Sequence, residues 1–109
     1  MLIDVLHDPL RFRVRSHGAE RVRRAGYDLT GKLLDEIPGP EYRKYALERC
    51  AGLVKSAEPS VVHYAREFDR RFDRYEAVWL PFSEDGQTVS QLLCGLIYKY
   101  SPDLRRTLK

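Results

Sequence analysis

The stretch Val89–Tyr98, which reads VSQLLCGLIY, decides the fold that we predict for this chain. Large apolar residues stand at consecutive positions in Leu92–Leu93 and again in Leu96–Ile97, so both faces of an extended segment would be apolar here. A strand that is apolar on both faces usually lies in the interior of its sheet. We therefore place this final strand in the middle of a sheet, between an N-terminal hairpin and the two strands that precede it.

An alternating segment near the N-terminus predicts that hairpin. Leu2–Leu6 is a mostly apolar run, and it stops at Asp8-Pro9, a turn signal. In Arg11–Arg15 the side chains of Phe12 and Val14 would point to one face of an extended segment and the three arginines to the other, which is the pattern of a half-buried strand. Two strands joined by so short a turn should pair antiparallel.

Two further strands are predicted before the final one. Val61–Phe68 is rich in strand-forming residues, and the polar turn Asp69–Arg71 separates it from a second strand at Arg74–Phe82. Asp85-Gly86 then gives a strong hairpin signal. The C-terminal half of the chain therefore predicts three consecutive antiparallel strands.

The middle of the chain has the spacing of helices. Ser16–Gly26 predicts a short helix whose final glycine is a left-handed cap, and Leu33–Ile37 predicts one more helical turn. The clearest helix covers about Glu41–Ser56, with Pro40 as its first residue. The predicted core-facing stripe of this long helix comprises Tyr42, Ala46, Cys50, Leu53 and Ala57.

Together these elements predict an α+β fold, a five-stranded antiparallel sheet with short helices and one longer helix packed on one face. The chain has 109 residues, which fits one domain, and its hydrophobic content of 43% is enough for a packed core. Strands and helices do not alternate, which argues against a parallel sheet. We assign residues 1–109 to this single domain, with a core of about 1–100 and a C-terminal tail, or the start of an exit helix, at 101–109.

The order of elements and three segments resemble the PAS domain. Ala25–Lys32, AGYDLTGK, looks like the PAS segment in which a short helix leads into a Gly-Lys turn. Pro9–Val14, ahead of the Asp-Leu-Thr-Gly turn, and the strand end Trp79–Ser83, WLPFS, are similar to a PAS-like family found in small proteobacterial proteins. The resemblance covers nearly the whole chain.

This resemblance implies a sensory or signalling module that is not an enzyme and that binds a small molecule or a partner protein. PAS folds host haem, flavin, small acids or plain protein contacts, so the fold leaves the ligand and any cofactor open. One alternative is a ligand-free interaction domain that forms a homodimer through the outer face of the sheet. Another is a regulatory domain that contacts an acidic partner or nucleic acid through an arginine-rich face.

The aromatic residues mark the expected pocket. They could line a cavity between the helices and the sheet, and the set comprises Tyr27, Tyr42, Tyr64, Tyr75, Trp79 and Tyr98. As candidate ligand-binding residues we single out Tyr27, Tyr42, Tyr64 and Trp79. The alternative for each is a place in the core or at its rim with the polar tip near the surface, and we favour that alternative residue by residue.

Other chemistry finds little support in the sequence. No catalytic triad, phosphate loop or metal-ligand spacing is present. Cys50 and Cys94 do not stand in the reactive-cysteine motif of flavin photosensors, and we expect both to be buried, inert thiols. The predicted long helix has no histidine to ligate haem.

A cluster of arginines forms a separate candidate surface, and it comprises Arg11, Arg13, Arg15, Arg21, Arg23 and Arg24. The charges of the whole chain are mixed, with 19 basic and 16 acidic residues and a net charge of +3. We favour a solvated face paired with acids such as Glu76 or Glu67, and we do not expect nucleic-acid binding.

Location follows from absences in the sequence. No apolar run approaches the length of a membrane span, and the N-terminus lacks the features of a signal peptide. Two cysteines that form no paired motif suit a reducing compartment. We therefore expect a cytoplasmic protein that does not insert into a membrane.

Overall fold

The computed structural model describes residues 1–98 of the chain. For seven residues in the strands the structure describes the backbone but not the side chain. These residues are Tyr64, Arg66, Phe68, Arg71, Phe72, Asp73 and Tyr98. The tail or exit helix that we predict for residues 101–109 lies outside the described residues.

In the described part of the chain, five strands form one antiparallel sheet, as predicted. They are β1 (Leu2–Leu6), β2 (Arg11–Ser16), β3 (Ser60–Phe68), β4 (Arg71–Ser83) and β5 (Val89–Tyr98). Their order in the sheet is β2-β1-β5-β4-β3. The final strand thus lies at the centre, between the N-terminal hairpin and β4, and the prediction made from its two apolar faces is confirmed.

One face of the sheet carries the core. Ile3 of β1 pairs with Leu92 of β5, and Trp79 of β4 pairs with Cys94 of β5. All four side chains are buried in one cluster. Leu93, the neighbour of Leu92 on the opposite face, is 37% exposed. Both faces of β5 are apolar, but the core forms on only one of them.

Within residues 1–98, two helices and one 3-10 turn cross that face. Helix α1 (Ala19–Ala25) ends at Gly26, whose φ of 83° is the left-handed cap expected there. The 3-10 turn covers Leu34–Glu36. Helix α2 (Pro40–Ser56) begins at Pro40, as predicted, and it reaches its C-terminal cap at Ala57.

Helix α2 packs on the sheet through the stripe that its spacing predicts. Ala46, Cys50 and Leu53 are buried in the same cluster as the sheet residues, and Tyr42 packs against this cluster. The prediction for Ala57 is wrong, because this residue is exposed. Its φ of 55° is left-handed, so the helix ends there and the spacing no longer applies. No helix within residues 1–98 is long and apolar enough to cross a membrane.

Candidate ligand-binding pocket

A cavity of about 300 Å³ lies between α1, the first turn of α2 and the core face of the sheet. Tyr27, Tyr42 and Tyr75 supply aromatic side chains, and Leu29 and Leu96 supply aliphatic ones. The polar residues His17, Arg21 and Asp69 also line it. The cavity therefore has an apolar and aromatic wall with a few polar groups, which is the usual composition of a ligand site.

Arg21 reaches into this cavity from α1. Its Nη2 donates a hydrogen bond to the hydroxyl of Tyr42, and its Nη1 donates to Cys94 Sγ at 3.6 Å. Burial alone would lower the pKa of Arg21, but its interactions with Tyr42 and Cys94, which strengthen when those groups ionise at high pH, outweigh burial and the pKa is raised. The guanidinium is therefore charged. None of the carboxylates whose positions the structure describes lies within 4.0 Å of it.

The groups around Arg21 are neutral at physiological pH. Burial raises the pKa of Tyr42 to about 12, although Arg21 acts in the opposite direction. Burial also raises the pKa of Tyr75. The Cys94 thiol has a raised pKa because it is buried, with Arg21 again opposing the shift. Arg21 is thus a cation whose hydrogen-bonded partners carry no charge.

His17 forms the wall of the cavity at the start of α1, and its residue is only 8% exposed. Its Nδ1 accepts a hydrogen bond from the backbone N–H of Leu29 at 3.0 Å. Burial and the nearby charge of Arg21 lower the pKa of His17, against the attraction of Asp28. Since Nδ1 accepts a bond, the neutral ring carries its proton on Nε2.

Asp69 closes the rim of the cavity beside α2. It lies in the turn between β3 and β4, where its φ of 52° and the φ of 66° at Arg70 are both left-handed, as in the tightest hairpin turns. Its Oδ1 accepts from the backbone N–H of Glu41 at 3.2 Å, and its Oδ2 accepts from that of Tyr42 at 3.1 Å. Both oxygens are therefore engaged with the first turn of the helix, where anions are stabilised.

No protein-family model, curated protein or solved structure matches this chain.

The structure brings together only part of the predicted pocket. Tyr27 and Tyr42 line the cavity, as does Tyr75 from the wider aromatic set. Trp79 is buried in the core and is not among the lining residues, and its Nε1 has no hydrogen-bond partner in the described part of the chain. The side chain of Tyr64 lies outside the described residues, although its backbone pairs with Tyr75.

Sequence reasoning missed the polar half of the site. We grouped Arg21 with a solvated surface, but its guanidinium is turned into the cavity. One feature of the sequence does indicate that Arg21 faces inward. Arg21, Arg24 and Ala25 stand at positions i, i+3 and i+4, so they share one face of α1. Asp69 gave no signal, because its partners on α2 are 27 and 28 residues distant in sequence.

Four of the five other arginines of the cluster form ion pairs at the surface. Arg11 pairs with Asp35, and Arg15 pairs with Asp4. Arg23 and Arg24 both pair with Glu20 on their own helix. These acids are not the ones we named from the sequence, and Glu76 instead lies 3.1 Å from His63.

A second depression runs along the C-terminal half of α2. It has a volume of about 590 Å³, is more open than the first, and is lined by Glu48, Arg49 and Ser56 among others. The guanidinium of Arg49 lies 5.6 Å from the ring centre of Tyr45. An open groove of this kind encloses little of a small molecule, so we take the smaller cavity as the candidate site.

Neither of the two buried thiols is activated for covalent attack. Burial raises the pKa of Cys50 to about 12, and both thiols are buried. A protonated thiol is a poor nucleophile. Among residues 1–98, no group of three or more His, Cys, Asp and Glu side chains is placed to hold a metal ion. What the cavity offers is the guanidinium of Arg21, which has no carboxylate partner among the described side chains, together with tyrosine hydroxyl groups and the imidazole of His17.

Proposed function

We propose that this chain is a PAS-like sensory or signalling module, without catalytic activity, that binds a small molecule in the cavity between α1, α2 and the sheet. The observation that carries the proposal is the inward guanidinium of Arg21, set in a cavity of about 300 Å³ with three tyrosines in its wall. Small-molecule sites combine an aromatic or apolar lining with a small number of placed polar groups. Here Arg21 is the strongest of those polar groups.

The proposed signal is a shift in how the helices pack on the sheet. Tyr27 follows α1, Tyr42 belongs to the first turn of α2, and Asp69 lies in the β3–β4 turn, so the cavity touches three separate elements. A ligand that contacts all three favours whichever packing fits it best. The exposed surfaces of those elements would then report the bound state to a partner.

Native mass spectrometry of freshly purified full-length chain tests this proposal, because it reports ligand and oligomer together. The expected result is a mass above that of the polypeptide, which returns to the polypeptide mass on denaturation. In ¹H–¹⁵N spectra, the native and the denatured-refolded protein should then differ mainly at α1, the first turn of α2 and the β3–β4 turn. Identical spectra together with a bare polypeptide mass would contradict it.

A second candidate function, dimerisation through the outer face of the sheet, is favoured by the apolar residues there. Val61 is 58% exposed and Ile97 is 57% exposed, with Leu93 and Phe82 also exposed on β5 and β4. Contiguous exposed apolar patches often mark interaction surfaces. This candidate requires no ligand, so a salt-insensitive dimer of bare polypeptide mass would favour it over the first.

For location we propose the cytoplasm. Cys50 and Cys94 are both free and buried, and burial raises the pKa of each thiol. Free thiols are typical of proteins in a reducing compartment.

A further inference from the structure

The guanidinium of Arg21 has fewer partners than its five N–H bonds allow. Two of them are used, one by the Tyr42 hydroxyl and one by Cys94 Sγ. Thiol sulfur is a weak acceptor, and its distance of 3.6 Å from Nη1 is long. An arginine that serves only the fold would be expected to pair with a carboxylate, as Arg11, Arg15 and Arg23 do here.

The carboxylates near the cavity are already engaged elsewhere. Asp69 accepts from the backbone N–H groups of Glu41 and Tyr42 with its two oxygens. Glu20, on the same helix as Arg21, pairs with Arg23 and Arg24. The positive charge of Arg21 is therefore not matched by a bonded anion from any side chain that the structure describes.

The surroundings of Arg21 favour an anion of low charge. Arg24 also lines the cavity, but Glu20 lies 2.9 Å from its Nε. Asp69 places a negative charge at the rim.

The N-terminal ammonium of Met1 also lines the cavity, and it donates a hydrogen bond to the carbonyl oxygen of Cys94. The Asp69 carboxylate balances one of the two cations, Arg21 and the ammonium, so a single carboxylate restores neutrality and a dianion such as phosphate exceeds it. A carboxylate also matches the planar fork of one guanidinium.

The rest of the wall suits an apolar or aromatic body. Tyr27 and Tyr75 face the cavity with aromatic rings, and Leu29 and Leu96 add aliphatic surface. The volume of about 300 Å³ is at the small end of ligand sites, which limits the body to roughly one ring or a short chain.

We propose that the cavity binds a small organic monoanion, with its carboxylate on the guanidinium of Arg21 and its apolar or aromatic body against Tyr27, Tyr75 and Leu96. This inference rests on the proposed function, since it names the class of ligand for the same pocket. The role of Arg21 is thus to bind the acid and to select it over neutral molecules of the same shape.

The test is an NMR titration of the ¹⁵N-labelled full-length chain near neutral pH with a matched pair of probes, benzoate and benzamide. Benzoate should move the Arg21 Nε–H signal and the backbone amides of α1 and saturate them. It should bind at least about tenfold more tightly than benzamide, because a hydrogen bond to a charged group is worth about that factor or more. Inorganic phosphate, as the dianion comparison, should bind more weakly than benzoate.

Substitutions at two positions of the same helix separate the charge of Arg21 from general surface charge. Arg21→Gln should bind benzoate and benzamide about equally, and Arg21→Lys should keep part of the preference for the acid. Arg23→Gln is the matched control, because Arg23 is exposed and pairs with Glu20. It should leave both affinities unchanged. If Arg21→Gln does not fold, the probe pair on the unaltered chain and on Arg21→Lys still decides the question.

The outcomes distinguish this inference from the proposed function. Equal binding of benzoate and benzamide, or benzoate shifts that leave the Arg21 signal unmoved, would overturn the monoanion assignment while keeping a small-molecule pocket. A ligand retained in native mass spectrometry that has no acidic group would overturn it in the same way. Failure of both probes together with a bare polypeptide mass would overturn the assignment and the proposed function alike.

Discussion

The carboxylate of Asp69 lies against the α-carbon of Gly39 and caps the first turn of α2 from a different element. The interaction is reciprocal, because Oε2 of Glu41 accepts a hydrogen bond from the backbone N–H of Asp69 at 2.6 Å. The same exchange of bonds occurs within a single helix start in a capping box. Here it joins the β3–β4 turn to α2 at the rim of the pocket.

Gly39→Ala should destabilise the chain through this contact alone. A β-carbon at residue 39 would collide with Oδ2 of Asp69, whereas the φ of −79° is one that alanine adopts freely. We expect a loss of about 1–3 kcal/mol in the free energy of unfolding, as is usual for overpacking, measured by urea denaturation.

The matched background for that substitution is Asp69→Gly, which removes the carboxylate and suits the left-handed φ of 52°. In this background, Gly39→Ala should become nearly neutral, since the atom it would meet is gone. A penalty for Gly39→Ala of the same size in both backgrounds would show that the contact with Asp69 is not the cause.

The course of the strands could be predicted because it depends on local signals. Three such signals each act within a few residues, namely the alternation around Phe12 and Val14, the Asp85-Gly86 turn and the apolar run near Leu92. All three features are present in the folded sheet. The end of α2 at Ser56 was also predicted, but the exposure of Ala57 was not, since an alanine gives no sign of the left-handed conformation that it adopts at the cap.

The site was only half predictable for a related reason. Tyr27 and Tyr42 were found because aromatic residues are few and bulky, so their type alone suggests a pocket. The role of Arg21 depends on which face of α1 turns inward, and that is settled by tertiary packing against Tyr42 and Cys94. The cap from Asp69 depends on a contact between segments that are distant in sequence.

The stability of the chain should fall as the pH is lowered through the range in which an unfolded histidine titrates. The pKa of His17 is lowered by burial and by Arg21, so the unfolded chain binds a proton more readily than the folded one. Its contribution is complete above the unfolded pKa of about 6.5 and is lost below it, at no more than about 1.4 kcal/mol per pH unit. Urea denaturation at about pH 7.5 and pH 5 measures the difference.

The control for that prediction is His17→Asn, whose side-chain oxygen can replace Nδ1 as the acceptor for the Leu29 N–H but does not titrate. The variant should show a smaller loss of stability between the two pH values. An unchanged loss would assign the pH dependence to other groups.

Tyr42→Phe should destabilise the chain more than Arg21→Met does. Removing the hydroxyl leaves a charged donor of Arg21 without its acceptor, which costs about 1–3 kcal/mol. Removing the guanidinium also removes a buried charge, and such replacements are often neutral or stabilising. Urea denaturation of the two single variants and of the double variant measures the coupling free energy between Arg21 and Tyr42. Strictly additive effects on the free energy of unfolding would contradict a coupling between these two residues.

The turn between β4 and β5 should contain a strongly acidic carboxyl group. Oδ1 of Asp85 accepts from the backbone N–H groups of Thr88 and Gln87, each at 2.8 Å, and these bonds with the Ser83 hydroxyl lower the pKa of Asp85 to about 2. Carboxyl ¹³C titration should show this midpoint, and Ser83→Ala should raise it. The bonds stabilise the folded chain above the ordinary pKa of an aspartate, and this contribution is lost as the pH falls through about 2.

Lysine on the outer face of the sheet distinguishes the two candidate functions. Ile97 and Val61 point away from the core, on β5 and β3 respectively, and each is more than half exposed. A charged side chain there is hydrated in a monomer but would be desolvated inside a dimer. If the chain dimerises through this face, Ile97→Lys and Val61→Lys should shift sedimentation to the monomer while leaving the thermal unfolding of the monomer nearly unchanged.

The control for these variants is Arg13→Lys, which keeps the positive charge at an exposed position of β2 and should leave the oligomer intact. If the unaltered chain is a monomer at micromolar concentration, or if its dimer persists in both apolar-to-lysine variants, the outer face is not the interface, and the pocket around Arg21 is left as the basis for function.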